Sequence, residues 1–204
     1  MSKFQLRAGF AFALVALTIV ATSAQSTAPS GYLMPPKVIA DIMDAEPLPG
    51  VSVSPDRTTL LLTHRRSMPT LAEVAAPILR LGGSRINPLS NGARVLNGVT
   101  GITLKDVATG AERRLMLPAQ GSFSPVFSPD GKKIAITHST DNGIRLLVAD
   151  VATGAVRTVL DGGVNGLGGG CSWLDDSNGF ICGLIPAGRG APPPTPRVPT
   201  TPNI

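Results

Sequence analysis

Histidine and serine are the first residue types to consider, because a histidine that activates a serine hydroxyl is the common machinery of nucleophilic hydrolysis. The chain of 204 residues contains two histidines, His64 and His138. An α/β-type serine hydrolase would hold its nucleophile in a Gly-x-Ser-x-Gly turn, and the sequence contains no such pentapeptide. The histidines lie 74 positions apart at the ends of equivalent apolar runs, so an internal repeat explains them better than catalysis. The sequence therefore predicts no catalytic residue in this chain.

Two cysteines, Cys171 and Cys182, could form a disulfide or bind a metal. They flank Asp176 and Ser177 symmetrically, so a regular hairpin with its turn there would place them opposite each other. Their ten intervening residues and the lack of paired histidines match no common zinc spacing. In an exported chain the pair favours a disulfide, the alternative being two buried free thiols. We predict no metal site and no cofactor.

Acidic and glycine-rich turns suggest further chemistry that turn formation alone can explain. Asp56 and Asp130 could be metal or acid–base carboxylates, but a short acceptor at these positions caps a turn. The glycines between Gly162 and Gly170 could cradle a phosphate, but no Lys-Ser or Lys-Thr follows them. A predicted strand rather than a helix comes next, so this segment is predicted to be a loop between repeats.

Charge and aromatic content argue against nucleic acid as a partner. The 18 basic and 13 acidic residues give a net charge of +5, but the basic residues are scattered along the chain. The aromatic residues after position 24 are too dispersed for a base-stacking surface, and they are Tyr32, Phe123, Phe127, Trp173 and Phe180.

The first 24 residues have the pattern of a secretory signal peptide. Lys3 and Arg7 precede an apolar stretch over 8–21, and small residues follow it. The stretch is shorter than the roughly 20 residues that cross a bilayer, so we expect cleavage near Ala24 and no stable membrane anchor. The sequence thus predicts export to the periplasm or the medium. A leader with a short helix, ended by Pro47, is predicted over 25–50.

Two kinds of predicted hairpin then alternate along the chain. The first has its turn at 54–57 and returns at 128–131, with a degraded copy at 174–177. The second is marked by Asp-Val-Ala-Thr-Gly, which occurs at 106–110 and again at 150–154. Since two hairpins recur at a spacing of about 45 residues, they predict the four-stranded blade of a β-propeller.

The predicted fold is all-β, an incomplete β-propeller of about two and a half blades over 51–185. An insertion over about 66–98 interrupts the first blade, and Thr70 to Glu73 form a capping box for a helix within it. Residues 186–204 are rich in proline and are predicted to be an extended tail. Closed propellers have roughly four to eight blades, so this chain would leave unpaired edges exposed.

Several short sequence segments follow one another along the chain in a recognisable order. They are Pro35-Pro36 to Pro47, Ser54-Pro55, His64-Arg65-Arg66, Pro69 to Glu73, Leu79 to Ile86, Trp173-Leu174-Asp175, Cys182, Ile185-Pro186, Arg189-Gly190 and Val198 to Ile204. In this order they resemble the N-terminal region of glutamyl endopeptidase-like members of the prolyl oligopeptidase family. The resemblance covers nearly all of the chain after the predicted signal.

This resemblance implies an N-terminal propeller that screens access to a C-terminal α/β-hydrolase domain with a Ser/Asp/His triad. The implied partners are that hydrolase domain, the remaining blades and, in the intact protein, peptide substrates. No catalytic residue is carried over, because the hydrolase half has no counterpart in this chain. Since the sequence stops at Ile204, inside the resembling stretch, we expect a truncated gene model or a broken gene and no activity in this polypeptide.

Two alternatives remain open from the sequence. The Ser-Pro-Asp-Gly hairpins are similar to those of the periplasmic TolB protein, which would make the chain a stand-alone binding propeller closed by self-association. The other alternative is a nonfunctional remnant that does not fold.

Overall fold

The computed structural model describes residues 35–190. The predicted signal peptide over 1–24 and most of the predicted tail, residues 191–204, lie outside the described residues. Helix α1 (Lys37–Asp44) follows Pro35-Pro36 and is the short helix expected in the leader. Within the described residues, no helix is long and apolar enough to cross a membrane.

The described residues after α1 are mainly β-strands, with one further helix, α2 (Leu71–Ala75). In chain order the strands are β1 (Gly50–Val53), β2 (Thr59–Arg65), β3 (Leu79–Leu81), β4 (Ser84–Asn87), β5 (Gly92–Ala93), β6 (Val99–Asp106), β7 (Glu112–Arg114), β8 (Ser122–Phe127), β9 (Lys133–Thr140), β10 (Gly143–Asp150), β11 (Val156–Leu160), β12 (Cys171–Trp173) and β13 (Phe180–Cys182).

These strands form two complete antiparallel blades and the first hairpin of a third. Blade 1 has the order β1-β2-β6-β7, and blade 2 has the order β8-β9-β10-β11. The two blades share one strand pairing, between Val99 of β6 and Phe123 of β8. Strands β12 and β13 pair as a separate hairpin, which begins blade 3. The prediction of an incomplete propeller with about two and a half blades is confirmed.

The insertion in blade 1 contains a helix and a small sheet. Thr70 caps α2 by accepting from the Glu73 N–H over 3.2 Å, and Glu73 accepts from the Thr70 N–H over 2.7 Å, so the predicted capping box is present. The sheet β3-β4-β5 was not predicted. Its first turn is Gly82-Gly83, where φ values of 53° and 85° provide the left-handed backbone that a tight hairpin needs.

The main core lies where blade 1 meets blade 2. Both blades contribute apolar side chains that are buried together, and these are Leu61, Val99, Ile102, Leu104, Leu115, Phe123, Ile134, Ile136, Leu147 and Ala149. Successive side chains of a strand point to opposite faces of its sheet, so each blade can pack against one neighbour on either side. Burial of this cluster holds the two blades together.

Candidate functional site

The two histidines occupy equivalent places in the two blades, and the structure does not bring them together. His64 lies in β2, and its Nε2 is 2.9 Å from Thr103 Oγ1 on the neighbouring strand. His138 lies in β9, where its Nε2 is 2.7 Å from the Gln120 carbonyl oxygen and its ring stacks on Phe123. Each histidine therefore hydrogen-bonds to a neighbouring segment of its own blade. That this chain contains no catalytic residue remains a prediction.

Cys171 and Cys182 face each other across the β12-β13 hairpin. They are paired in the strand register, and their Sγ atoms are bonded. The hairpin is also held by Trp173 and Phe180, whose ring centroids are 4.1 Å apart. Within the described residues, no group of three or more histidine, cysteine, aspartate or glutamate side chains is arranged to hold a metal ion.

The first turn of each blade is built around one serine and one aspartate. In blade 1 the Ser54 hydroxyl donates to Asp56 Oδ1 over 2.6 Å and accepts from the Thr59 N–H over 3.0 Å. Ser128 and Asp130 repeat this arrangement in blade 2 over 2.7 Å. These carboxylates are therefore occupied in closing turns, as local turn chemistry predicts.

Blade 3 keeps the turn geometry although its sequence is degraded. Leu174 replaces the serine, yet the Ser177 N–H still donates to the Leu174 carbonyl over 3.0 Å. Asp176 Oδ1 accepts from the Asn178 N–H over 2.9 Å, as the aspartates of the other two turns accept from the second residue after them. The conserved geometry explains why the degraded copy still forms a hairpin.

The second turns of blades 1 and 2 are also equivalent. Asp106 Oδ1 accepts from both the N–H and the hydroxyl of Thr109 over 2.7 Å. Asp150 Oδ1 makes the same two contacts with Thr153 over 2.8 Å. The Asp-Val-Ala-Thr-Gly repeat is thus a turn motif rather than a site for chemistry.

The turn aspartates of blades 1 and 2 share an electrostatic property. In the first turns, the serine hydroxyl two residues earlier is the main cause that lowers the carboxyl pKa from its ordinary value. In the second turns, the main cause is the N–H of the threonine three residues later. The lowered pKa keeps each group ionised to lower pH, and the four groups are Asp56, Asp106, Asp130 and Asp150.

One groove, of about 460 Å³, lies at the end of the blades where these turns cluster. Side chains of both charges line it, among them Asp56, Asp106, Glu112, Arg113, Lys132 and Asp150. The Arg113 guanidinium also donates to the carbonyl oxygens of Val151 and Ala152 in blade 2, which connects the two blades.

A second groove, of about 580 Å³, lies between the insertion and the β9-β10 turn. Arg66 Nη2 and Glu73 Oε1 form an ion pair over 2.6 Å beside it. Across the groove, Asn87 Nδ2 donates to Asp141 Oδ1 over 3.3 Å, which joins the insertion to blade 2. The groove is lined mainly by polar and charged side chains.

An amide network, which the sequence analysis missed, shapes the glycine-rich loop. Asn91 Nδ2, in the insertion, donates to Asn165 Oδ1 over 2.8 Å, and the Arg189 guanidinium donates to Asn91 Oδ1. Asn165 Oδ1 also accepts from the N–H groups of Leu167 and Gly168 over 3.1 Å. Backbone donors that could have cradled a phosphate thus bind this side chain. The one sequence signal is Asn91 itself, a residue type that tolerates its φ of 51°.

The strand order and the repeated turns define the described residues as part of a β-propeller. Over this architecture the sequence is similar to two curated proteins, both named "Probable glutamyl endopeptidase, chloroplastic". The one from Oryza sativa subsp. japonica is 34% identical over 88% of this chain and 21% of its own length. The one from Arabidopsis thaliana is 35% identical over 85% of this chain and 20% of its own length. No protein-family model matches the sequence.

These similarities confirm the resemblance seen in the sequence. Over the part of those proteins that it spans, the chain resembles the glutamyl endopeptidases of the prolyl oligopeptidase family. That part is about a fifth of the length of the curated relatives it matches.

Similar solved structures include two propeller-containing proteins. Acylaminoacyl peptidase from Pyrococcus horikoshii has a TM-score of 0.41 at 17% identity, over 69% of this chain and 17% of that chain. TolB from Acinetobacter baumannii has a TM-score of 0.39 at 16% identity, over 69% of this chain and 27% of that chain.

Proposed function

We propose that this chain is the non-catalytic propeller portion of a serine peptidase that resembles glutamyl endopeptidases. The observation that carries the proposal is the 34% sequence identity, over 88% of the chain, to a protein of that name. The chain supplies blades 1 and 2 and the first hairpin of blade 3, while the hydrolase domain and the remaining blades are the partners it requires. Peptides that the hydrolase domain cleaves are the substrates of the intact protein.

In that protein the propeller screens which substrates reach the hydrolase domain. The insertion supports this role, because hydrogen bonds from Asn87 to Asp141 and from Asn91 to Asn165 fix it across blade 2 and the loop before blade 3. An insertion held at both places narrows the path of substrates to the hydrolase domain beside the 580 Å³ groove. We expect the chain alone not to hydrolyse peptides, because no catalytic residue is predicted within it.

Sequencing of the source DNA beyond the Ile204 codon is the first test. A reading frame that continues through further blades to a Gly-x-Ser-x-Gly turn supports the proposal. The longer protein should then hydrolyse peptides after glutamate. A stop codon directly after Ile204, or a longer protein that does not cleave such peptides, contradicts the peptidase assignment.

The screening role has a separate test in the longer protein. Asn91→Ala should loosen the insertion and raise kcat/KM for large peptides more than for a dipeptide-sized substrate. Ser67→Ala is a matched control, because this substitution also lies in the insertion and leaves the Asn91 contacts intact. Equal changes for both substrate sizes would show that the insertion does not screen substrates.

Export is a further part of the proposal, based on Lys3, Arg7 and the apolar stretch over 8–21. The two curated relatives are named chloroplastic, so targeting within a cell is the competing outcome. Residues 1–30 fused to a phosphatase that is active only after export should give activity in a bacterial host. An inactive fusion protein that stays inside the cell would contradict export.

The Ser-Pro-Asp turns at Ser54 and Ser128 keep a TolB-like binding propeller as the second candidate function. It differs from the first candidate in requiring this chain to fold and act without a hydrolase domain. Circular dichroism of the purified chain should show cooperative melting of β-sheet in this case, and a chain that does not fold would be a nonfunctional remnant.

A further inference from the structure

Asparagine followed by glycine occurs five times in the chain, at Asn91, Asn97, Asn142, Asn165 and Asn178. Asparagine is a chemically labile residue type, and a following glycine makes it more so, because no Cβ atom obstructs the approach of the glycine nitrogen to the side-chain Cγ. The reaction requires a glycine N–H that is not bound to an acceptor and an asparagine side chain that can turn toward it. The five sites meet these requirements to different degrees.

Hydrogen bonds or packing hold the asparagine side chain at three of the five sites. Asn91 and Asn165 are hydrogen-bonded to each other, and Asn165 also accepts from the N–H groups of 167–168. Asn97 Nδ2 lies 3.5 Å from the Ser67 carbonyl oxygen, and Asn97 Oδ1 is buried. Each of these side chains must leave its contacts before it can react.

Asn142 is exposed in the turn between β9 and β10, but its glycine belongs to a strand. Gly143 is the first residue of β10 and is paired with Thr140 where the hairpin closes. Thr140 Oγ1 also donates to the Gly143 carbonyl over 3.1 Å and accepts from the Asn142 N–H over 3.2 Å. The backbone on both sides of this asparagine is therefore held in the hairpin.

Asn178-Gly179 lies in the first turn of blade 3, where this turn departs from those of the other blades. In blades 1 and 2, a serine hydroxyl accepts from the N–H of the residue five positions later, which is Thr59 over 3.0 Å and Lys133 over 2.9 Å. Leu174 replaces that serine in blade 3, so the Gly179 N–H has no hydroxyl to bind. Within the described residues, the Gly179 N–H donates to no other group.

The Asn178 side chain is exposed, and it makes no hydrogen bond with the part of the chain that the structure describes. Its place in the turn accounts for this exposure. Thr58 and Lys132, at the equivalent positions, are exposed although a described blade follows each of them. Among the five sites, only this one combines an unbonded glycine N–H with an unbonded asparagine side chain.

We propose that Asn178 is the site at which this chain deamidates. The Gly179 nitrogen gives its proton to water and attacks Cγ of Asn178, so that a new C–N bond forms. The Cγ–Nδ2 bond breaks, and Nδ2 takes up a proton and leaves as ammonia. Water then opens the succinimide ring at either carbonyl, which gives aspartate or isoaspartate without any change of oxidation state. The proposal concerns this turn and does not rest on the proposed function.

Deamidation at this position alters the contact between blades 2 and 3. The preceding residue, Ser177, is buried, and it accepts through Oγ from the Asp130 N–H over 3.1 Å and through its carbonyl oxygen from Lys133 Nζ over 3.3 Å. Isoaspartate lengthens the backbone by a methylene directly after Ser177, which displaces the Gly179 carbonyl from the Leu174 N–H that it accepts from. We therefore expect the isoaspartate form to hold its hairpin less firmly against blade 2.

Peptide mass spectrometry of the full chain, incubated at mildly alkaline pH, measures the reaction at all five sites. Asn178 should react first, and Asn91 and Asn165 should react at least about 10-fold more slowly, because each must first lose hydrogen bonds. Leu174→Ser restores the serine of the other blades and should slow the reaction at Asn178 at least about 3-fold, since the hydroxyl can accept from the Gly179 N–H. Leu174→Ala is the matched control, because it removes the same side chain without adding an acceptor, and it should not slow the reaction.

The same incubation in concentrated urea gives the behaviour of the unfolded chain, in which the five sites should react at similar rates. Circular dichroism checks that each variant is folded without urea. Faster reaction at Asn142 than at Asn178 in the absence of urea overturns the proposal. An order of reaction that urea leaves unchanged, or equal rates at Asn178 in the two Leu174 variants, also overturns it.

Hydrogen exchange tests the structural consequence in the same samples. The amides of β12 and β13 should exchange faster in the isoaspartate form than in the fresh chain, and those of β9 and β10 should change little. Unchanged exchange in β12 and β13 would contradict the loosening of the hairpin.

Discussion

At the scale of single residues, the turns combine a fixed hydrogen-bond pattern with a left-handed residue. The residue after the aspartate has a φ of 61° at Arg57, 74° at Gly131 and 60° at Ser177. A side chain in this region costs roughly 1–2 kcal/mol, and glycine avoids that cost. Blade 2 therefore has the least strained of the three turns.

Arg57→Gly should raise the free energy of unfolding by about 1 kcal/mol, because glycine adopts the observed φ without strain. Urea denaturation of the dilute chain measures the change. Arg57→Ala is the matched control, since it removes the guanidinium but keeps a Cβ atom. Equal stabilisation by both substitutions would mean that the charge of Arg57, not its backbone conformation, limits stability.

The turn aspartates make stability depend on pH. Their pKa is lowered by folding, so the unfolded chain binds protons at a higher pH than the folded chain. Their contribution to stability is complete above the unfolded pKa and is lost as pH falls through the folded pKa. We therefore expect the urea midpoint to fall steadily between about pH 5 and about pH 2.

Asp130→Asn should reduce this dependence on pH, because the amide does not titrate in that range. The variant should be less stable than the parent at neutral pH and differ from it least at the acid end. Asp44→Asn, in α1 and outside the turns, is the comparison variant. An unchanged pH slope in Asp130→Asn would show that the turn carboxylate does not govern acid unfolding.

At the scale of elements, the hairpin that begins blade 3 depends on its disulfide for stability. The Cys171–Cys182 bond closes a loop over a sequence separation of 11 residues. Chain-entropy estimates for loops of this size give about 2–3 kcal/mol, as a model-dependent value. The hairpin has only two short strands, and its contacts with blade 2 include a hydrogen bond from Trp173 Nε1 to the Val126 carbonyl oxygen over 3.2 Å.

Replacement of both cysteines by serine should therefore open this hairpin before the rest of the sheet. Hydrogen exchange of the amides in β12 and β13 should become up to about 100-fold faster. Exchange in β9 and β10 should change little, which makes these strands the internal control. Unchanged exchange in β12 and β13 would mean that the Trp173–Phe180 contact and the turn suffice.

At the scale of the whole molecule, stability depends on the core between blades 1 and 2. Ile136 is fully buried there, and Leu62, the equivalent residue 74 positions earlier, lies half-buried on a face of blade 1 that no described blade covers. The repeat thus places similar side chains at equivalent strand positions of two blades. A described blade covers Ile136 but not Leu62.

Ile136→Ala should lower the free energy of unfolding by about 2–5 kcal/mol, because it leaves a cavity between the blades. Leu62→Ala should cost less than about half as much, since its side chain keeps contact with water. Chemical denaturation of both variants at low concentration measures the difference. Equal losses would indicate that the open face of blade 1 is covered in solution.

The sequence by itself determined the features that depend on neighbouring residues. The Ser-Pro-Asp and Asp-Val-Ala-Thr-Gly turns, the capping box at Thr70 and the order of the hairpins all follow from hydrogen bonds within a few positions. Their spacing was enough to predict the blades and to count them. Cys171 and Cys182 are equally distant in sequence from the centre of their turn, and for this reason they lie opposite each other in the hairpin.

Only the tertiary structure decided which distant residues meet. Asn91 and Asn165 are hydrogen-bonded although 74 residues separate them, and neither lies in a motif that predicts a partner. The close approach of Gly131 to Asp56 likewise depends on how one blade packs on the next. Local hydrogen bonds fix each hairpin, but burial of apolar faces between hairpins sets their arrangement, and that burial depends on the whole chain.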